Sequence, residues 1–436
     1  MTASPDRAGH QGLVAIVGAG LSGLCLAQSL VRDGFDVEVY ECDPSPDARR
    51  QGYRITADEH GIGALRSCLP PHLFELFLAT ASASSTTGVG YFRFTNRELG
   101  EVFKLTFKAD PSVTDLRVPR QVDRQTLRTI LLSGLAGRVH YGRAAARAES
   151  TSDGARVFFT DGSSSHASLV VGADGVYSVL REQLLPNCMP IDTGYMGLYG
   201  RSLLFEDDRS LVPKALENSG VLAIGTPGRA FFFTTMRFHE PPSRAFARLA
   251  PDQHSPIRED YVMWAVLFPR EELPPDVHTR SADALHRLAV EAARDFHPVL
   301  RRLVERADVD YTTPVTLSAA KRPITWPVSR VTLMGDAVHV MPPFGAHGGN
   351  TALRDAALLG GKIRDAVTRR ESLDQAIRAY QEEMITYAFP EVEASKRMMR
   401  RSTIKNPVLR WAMLRAIPWL RSVTGTPPLM GAASEP

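Results

Sequence analysis

An α/β fold is what this sequence predicts: a domain built on a parallel sheet, interrupted by an antiparallel-sheet domain and followed by a C-terminal helix. Three observations carry that reading. Continuous apolar runs at 13–17, 168–173 and 330–334 read as strands buried on both faces of a parallel sheet. Between about 190 and 270 the texture changes to runs such as Ala230-Phe-Phe-Phe-Thr-Thr235 and Tyr261-Val-Met-Trp-Ala-Val-Leu-Phe268, separated by Pro-, Asp- and Arg-rich loops. The chain has 436 residues, enough for two or three domains at roughly 150 residues each.

Taken in order, residues 21–33 have helical spacing and stop at Gly34, and Asp36-Val-Glu-Val-Tyr40 reads as the next strand. Strand, helix and strand make a βαβ unit. Residues 125–135 and 281–305 are also helical in pattern, and a long helix starts near Asn350. The last helical stretch, 407–423, is basic and apolar and is kinked by Pro418. These elements place a discontinuous nucleotide-binding domain at 1–75, 105–187 and 276–395. A substrate-binding domain takes 76–104 and 188–275, and a basic helical segment takes 396–436.

Composition excludes several classes. Hydrophobic residues make up 44% and charged residues 23%, the balance of a soluble globular chain rather than a disordered, collagenous or coiled-coil one. A net charge of +3 is too small to argue for nucleic acid. The run from Lys396 to Arg421 nevertheless holds eight basic residues and no acid. Cys25, Cys42, Cys68 and Cys188 form no C-x-x-C pair, so neither zinc, a redox dithiol nor a disulfide scaffold is expected. The apolar run 13–30 is broken by Gly18, Gly20 and Gly23, unlike a signal peptide or a membrane span. A cytoplasmic chain without an integral membrane segment is the expectation.

Two motifs carry chemistry. Gly18-Ala19-Gly20-Leu21-Ser22-Gly23 lies directly between the first strand and its helix. Gly18 permits the turn, Gly20 lets backbone N–H groups approach a pyrophosphate, and Gly23 lets helix and strand pack closely. The helix then turns its positive dipole end towards the anion. Glu41 ends the second strand 18 residues after Gly23, where a carboxylate would accept from ribose hydroxyls. The second motif, Gly335-Asp336 through Asn350, also joins a buried strand to a helix. Asp336 can bind a polyol hydroxyl, and residues 345–350 would aim backbone N–H groups at an electron-rich acceptor. A nicotinamide dinucleotide already held by the first motif needs no such second site, whereas FAD, with its ribityl chain and ring, does. The alternative is a glycine-rich active-site loop unrelated to flavin.

With Gly172-Ala-Asp174-Gly175 between these motifs, the sequence resembles the single-component FAD-dependent monooxygenases of the para-hydroxybenzoate hydroxylase type, over residues 12–395. It is most similar in look to the branch of tetracycline-inactivating monooxygenases, through Met341-Pro-Pro-Phe344 and Arg124-Gln-Thr-Leu-Arg-Thr-Ile-Leu-Leu132. The resemblance implies a Rossmann-type FAD-binding domain interrupted by a substrate domain. It implies Glu41 on the adenosine ribose, Arg124 near the flavin or its pyrophosphate, and Asp336 on the ribityl chain. Pro343, Gly348, Gly349 and Asn350 would lie at the flavin, and Asp174 is associated with both FAD and NAD(P)H. Arg54, after Gly52-Tyr53, falls where relatives place a flavin- or NADPH-contacting arginine, and Arg49 is a second candidate. Either arginine suits a surface salt bridge equally well.

The activity implied is hydroxylation of an aromatic or polycyclic small molecule, with NAD(P)H as reductant, O2 as co-substrate and a flavin C4a-hydroperoxide as oxygen donor. The absence of metal-ligand spacing and of a nucleophile elbow agrees with chemistry carried by a cofactor. An oxidase, reductase or Baeyer–Villiger catalyst would share the same residues, as would a flavin-binding protein without turnover. The Trp-x-Trp-x-Ile-Pro segment of flavin-dependent halogenases is replaced by Trp264-Ala-Val-Leu-Phe-Pro269. Phe232, Trp264, Met341, Pro342 and Phe344 are the expected apolar substrate wall, and Arg201 could bind an anionic or phenolic oxygen. His347 stands where many relatives carry Gln, which suits either a titrating group beside the flavin or a structural histidine. Trp411, Leu414, Ile417 and Leu420 at helical spacing suit a domain-bridging helix or, alternatively, a membrane-surface one.

Overall fold

The computed structural model describes residues 12–416 apart from 49–53, 83–88, 109–118, 206–210, 214–215, 217–218, 258 and 325. Five parallel strands form the nucleotide-binding sheet, in the order Val331–Leu333, Leu169–Gly172, Val14–Val17, Val37–Tyr40 and Val139–His140. Val14–Val17 and Leu169–Gly172 are buried at every position, as their unbroken apolar character requires. The helix Leu21–Arg32 follows the first strand, and the helix His347–Arg369 packs along it. A Cβ on Gly360 would lie 2.7 Å from Ser29 Oγ, so this glycine sets how closely the two helices approach.

The second sheet has seven strands, ordered Thr313–Ala319, Ile191–Leu203, Tyr261–Pro269, Ala230–Met236, Ser219–Ile224, Val89–Asn96 and Glu101–Lys108. It is antiparallel except where Ser219–Ile224 runs parallel to Val89–Asn96. More than a hundred residues separate the two strands, a connection long enough to permit parallel pairing. The remaining pairings are antiparallel, as the sequence-based expectation has it.

Register divides the faces of this sheet. Gly200, Trp264, Phe233 and Val221 are cross-strand partners on one face. That face is buried under the helices Ala282–Ala293 and Pro298–Glu305, through Leu285, Ala289, Leu300 and Leu303. The single helical stretch expected at 281–305 is two helices, because Pro298 cannot continue the first and opens the second. Residues 276–319 were assigned from sequence to the nucleotide-binding domain. Their helices instead cover the large sheet, and Thr313–Ala319 forms its edge strand. The opposite face carries Tyr199, Phe232, Leu222 and Phe94 in register and turns towards the nucleotide-binding domain.

A two-stranded ribbon, Arg54–Ala57 with Arg120–Asp123, contacts the helix His347–Arg369 through its first strand and the large-sheet strand Ala230–Met236 through its second. Helix Leu373–Ser402 continues to the short helix Pro407–Trp411, where Val408, Leu409 and Trp411 are exposed. Ile417, Pro418 and Leu420, expected in that helix, lie outside the described residues. Among the described residues no helix is long and apolar enough to cross a membrane.

Candidate functional site

The turn after the first strand is built by its glycines. Gly18 has φ +108°, and a Cβ there would strike Ala173 O at 2.3 Å. A Cβ on Gly23 would strike Gly18 O at 2.2 Å. Gly20 differs: no protein atom stands within 4 Å of where its Cβ would be. Gly20 also precedes the helix Leu21–Arg32 without a side-chain cap, so the first-turn N–H groups carry the helix's partial positive charge unmasked. Ala19 N–H donates to Glu41 Oε2 at 2.7 Å, and Asp43 N–H donates to Oε1 at 2.9 Å. Cys42 Sγ lies 3.2 Å from Oε1 as a second donor, so Glu41, expected as a ribose ligand, braces the loop and keeps a further lone pair on Oε2. Cys42 and Asp43 crowd the same strand end, but this acidic cluster is organised by backbone N–H groups.

The second loop is brought onto the first. Gly335 has φ +62°, and a Cβ there would meet Ser22 Oγ at 2.7 Å. Asp336 follows with its side chain exposed. Arg124 opens the helix Arg124–Leu132 close enough to Asp336 to feel its charge; burial lowers the guanidinium's pKa and the carboxylate opposes that shift. Behind the loop, the buried Asp355 accepts from Gly335 N–H at 2.7 Å, pairs with His339 Nε2 at 2.6 Å and accepts from Tyr387 Oη at 2.6 Å.

Beyond Asp336, Met341 and Pro342 are buried and Pro343 is exposed. Ala346 adopts φ +61°, a left-handed conformation unusual for a residue with a Cβ, and the helix begins at His347 rather than at Asn350. Gly348 and Gly349 thus form its uncapped first turn. Asn350 is occupied internally: Nδ2 donates to Thr56 O and Ala346 O, while Oδ1 accepts from Asp58 N–H. Its side chain clamps the loop instead of facing open space. His347 Nδ1 lies 2.7 Å from Glu391 Oε2, a bond that holds the Glu391 carboxyl below its ordinary range.

Asp174 accepts from Val179 N–H through Oδ2, while its buried Oδ1 has no partner; burial raises its pKa. Gly175 follows with φ +76°. The buried Arg181 donates to Val176 O and Ala337 O and so ties the Asp174 loop to the Asp336 loop.

The sequence matches the FAD binding domain family over residues 142–389 and the NAD(P)-binding Rossmann-like domain family over 16–77. The chain belongs to the FAD-binding domain family. It is 33% identical, over 80% of its length, to a dual O-methyltransferase/FAD-dependent monooxygenase of Phaeosphaeria nodorum, of which it spans only 40%. It is 25% identical to the 6-hydroxynicotinate 3-monooxygenase of Pseudomonas fluorescens, covering 84% of this chain and 86% of that one. A structure from Photorhabdus luminescens described as an FAD-containing monooxygenase superposes with a TM-score of 0.76 at 28% identity, covering 90% and 99% of the two chains.

FAD fits what the residues present. The open space at Gly20 and the uncapped helix start suit its pyrophosphate, the exposed Asp336 suits a ribityl hydroxyl, and the uncapped turn at Gly348 and Gly349 suits an electron-rich ring edge. Sequence reading missed the residues that hold these parts in place. Arg128 Nε donates to Ala19 O at 3.0 Å and its NH1 to Pro46 O at 2.7 Å, and Asp355, Arg181 and Glu391 act likewise at other points. For Arg128 a signal was available, one helical turn after Arg124 on the same face.

The wall residues divide. Phe344 is buried against Phe94, Leu222 and Leu267 on the face that turns to the flavin domain, and Phe232 is partly exposed there. Met341 packs with Ala319, Ala320 and Phe389. Trp264 is corrected: it is fully buried on the opposite face, its Nε1 donating to Ser202 Oγ at 3.2 Å, because period-two alternation turns it away from Phe232's side. Arg201 lies on Phe232's side, donating to Asp308 at 3.1 Å and stacked 3.4 Å over the Tyr311 ring. Arg54 is partly buried in the ribbon, and Arg49 lies outside the described residues.

Proposed function

We propose that this chain is an FAD- and NAD(P)H-dependent monooxygenase that hydroxylates an aromatic or polycyclic small molecule. One observation carries the reading: the 335–350 loop serves both sides. Its Asp336 and Gly348-Gly349 present polar groups suited to the cofactor, while its Phe344 packs into the apolar sheet face. A substrate between loop and sheet is thereby held against the flavin. The names of the relatives support oxygenation, and 6-hydroxynicotinate is an aromatic acid.

When bound, FAD supplies electron transfer from NAD(P)H and delivery of one oxygen atom from O2. The protein's part is placement and exclusion of water. The helix starts at Leu21 and His347 aim N–H groups at anionic or electron-rich atoms. Arg124, partly neutralised by Asp336, adds a fixed positive charge at the same place. Phe344, Phe232 and Met341 supply apolar, water-excluding surface. Asp174 and Gly175 form the loop proposed to meet NAD(P)H.

The purified protein, loaded with FAD, should oxidise NADPH faster when a suitable member of a panel of aromatic compounds is added, with matching O2 uptake. Oxidation that yields only hydrogen peroxide with every compound would favour an oxidase. Asp336→Ala should weaken FAD binding by about 1.5–3 kcal/mol, the loss typical of a charge-assisted hydrogen bond.

A further inference from the structure

Neither the flavin loops nor the substrate face uses the apolar side chains of the helix Pro407–Trp411. Val408, Leu409 and Trp411 are 70%, 61% and 63% exposed. No other stretch among the described residues exposes three large apolar side chains within four positions. The helix is nevertheless anchored to the large sheet. Asn406 caps it, its Oδ1 accepting from Val408 N–H at 2.9 Å and from Leu409 N–H at 3.1 Å. Arg410 Nε donates at 3.0 Å to Gly225 O, in the turn between Ser219–Ile224 and Ala230–Met236. Just before the helix, Lys405 Nζ pairs with Glu271 at 2.9 Å and Tyr195 Oη donates to Thr403 O at 3.1 Å.

Helical spacing sorts the sides of this segment. Val408 and Trp411, three residues apart, share the side away from Arg410, with Leu409 flanking them. The side that carries the anchoring arginine faces the sheet, and the apolar side faces water. A helix bridging two domains would bury Trp411, and here it is exposed. Water is an unfavourable neighbour for an indole and two aliphatic side chains held in one place.

Charge and area together say what covers it. Between Glu393 and Glu435 the sequence holds eight basic residues and no acid. On either side of the helix in the chain, Arg400 and Arg415 are exposed and pair with no carboxylate among the described residues. Three side chains offer on the order of a few hundred Å², short of the roughly 800 Å² per partner that a stable protein interface buries. A bilayer interface asks for less: an indole and aliphatic groups entering at headgroup level, with cations meeting the phosphates. We infer that this helix is a peripheral docking surface for an anionic phospholipid membrane. Val408, Leu409 and Trp411 enter the interface, and Arg400 and Arg415 meet lipid phosphate. The protein is thereby held at the membrane surface by one end of its large sheet, without spanning the bilayer. This goes beyond the monooxygenase reading and does not depend on it.

The test is co-sedimentation of the full chain with vesicles of phosphatidylcholine alone and of equal parts phosphatidylcholine and phosphatidylglycerol. The anionic vesicles should bind at least about ten-fold more tightly, and added salt should weaken that binding. Val408→Ser with Trp411→Ser, and separately Arg400→Gln with Arg415→Gln, should each weaken it about ten-fold. These side chains are exposed, so both double variants should keep the wild-type melting temperature. If the serine pair lowers it, the arginine pair carries the test. Neutral vesicles bound as tightly as anionic ones, no binding to either, or undiminished binding by both double variants would each overturn the inference. So would a wild-type dimer in solution that the serine pair dissociates, because a second copy of the chain would then cover this side of the helix.

Discussion

Asp355 lies inside the helix His347–Arg369 and touches no open space, yet three donors converge on its carboxylate. Gly335 N–H fixes the turn that presents Asp336, and His339 and Tyr387 complete the set. Burial disfavours a charged His339, but the carboxylates of Asp355 and Asp336 outweigh it and raise its pKa above the ordinary value. A raised folded-state pKa adds stability below about pH 6.5, and that contribution is lost as pH rises through the folded-state value. Asp355→Asn should flatten this dependence and lower stability at acidic pH, which thermal melts across the pH range measure directly. If wild type and variant give parallel stability profiles, the carboxylate is not what holds the proton on His339. None of this was legible in sequence. Asp355 reads there as an ordinary helical acid, and its partner His339 is 16 residues away across a loop.

At the scale of elements, the glycines separate structural need from ligand need. Gly18 and Gly23 are required by the chain itself, since a Cβ at either would overlap backbone oxygen. Gly20 has extended backbone, φ −76° and ψ 179°, and open space at its Cβ. Gly20→Ala should therefore leave the stability of FAD-free protein within about 0.5 kcal/mol of wild type. The added methyl would stand where the pyrophosphate must approach, so FAD affinity should fall. Calorimetric titration of apoprotein, with a parallel thermal melt, checks both halves. Gly200→Ala is the reverse case. Its Cβ would lie 2.0 Å from Trp264 Cζ2, so overpacking should cost about 1–3 kcal/mol with FAD affinity unchanged. The fingerprint turn was readable because its glycines recur at fixed spacing between an apolar strand and a helix. The need for Gly200 was not, because it depends on a neighbouring strand and an indole 64 residues away.

For the whole molecule, the parallel strands and both nucleotide loops were legible because each is a short segment with its own pattern. The domain boundaries were less so. The helices over 282–305 have ordinary amphipathic spacing, and only the tertiary structure shows that they cover the large sheet. Contacts that decide the assembly are buried polar pairs at long separation: Tyr261 to Asp123, 138 residues apart, joins the large sheet to the ribbon, and Arg181 to Ala337, 156 apart, ties two loops of the nucleotide-binding domain. Period and propensity carry no record of such pairs. The functional claim joins the two domains, since the flavin-binding loop must hold a substrate against the sheet for oxygen to reach it. The most direct measurement is turnover of the FAD-loaded protein with NAD(P)H and ¹⁸O-labelled dioxygen on a substrate that accelerates flavin reduction, with the product mass determined. One labelled oxygen atom in each product molecule is the predicted result. A product oxidised without labelled oxygen, or one whose oxygen comes from water, would contradict the account.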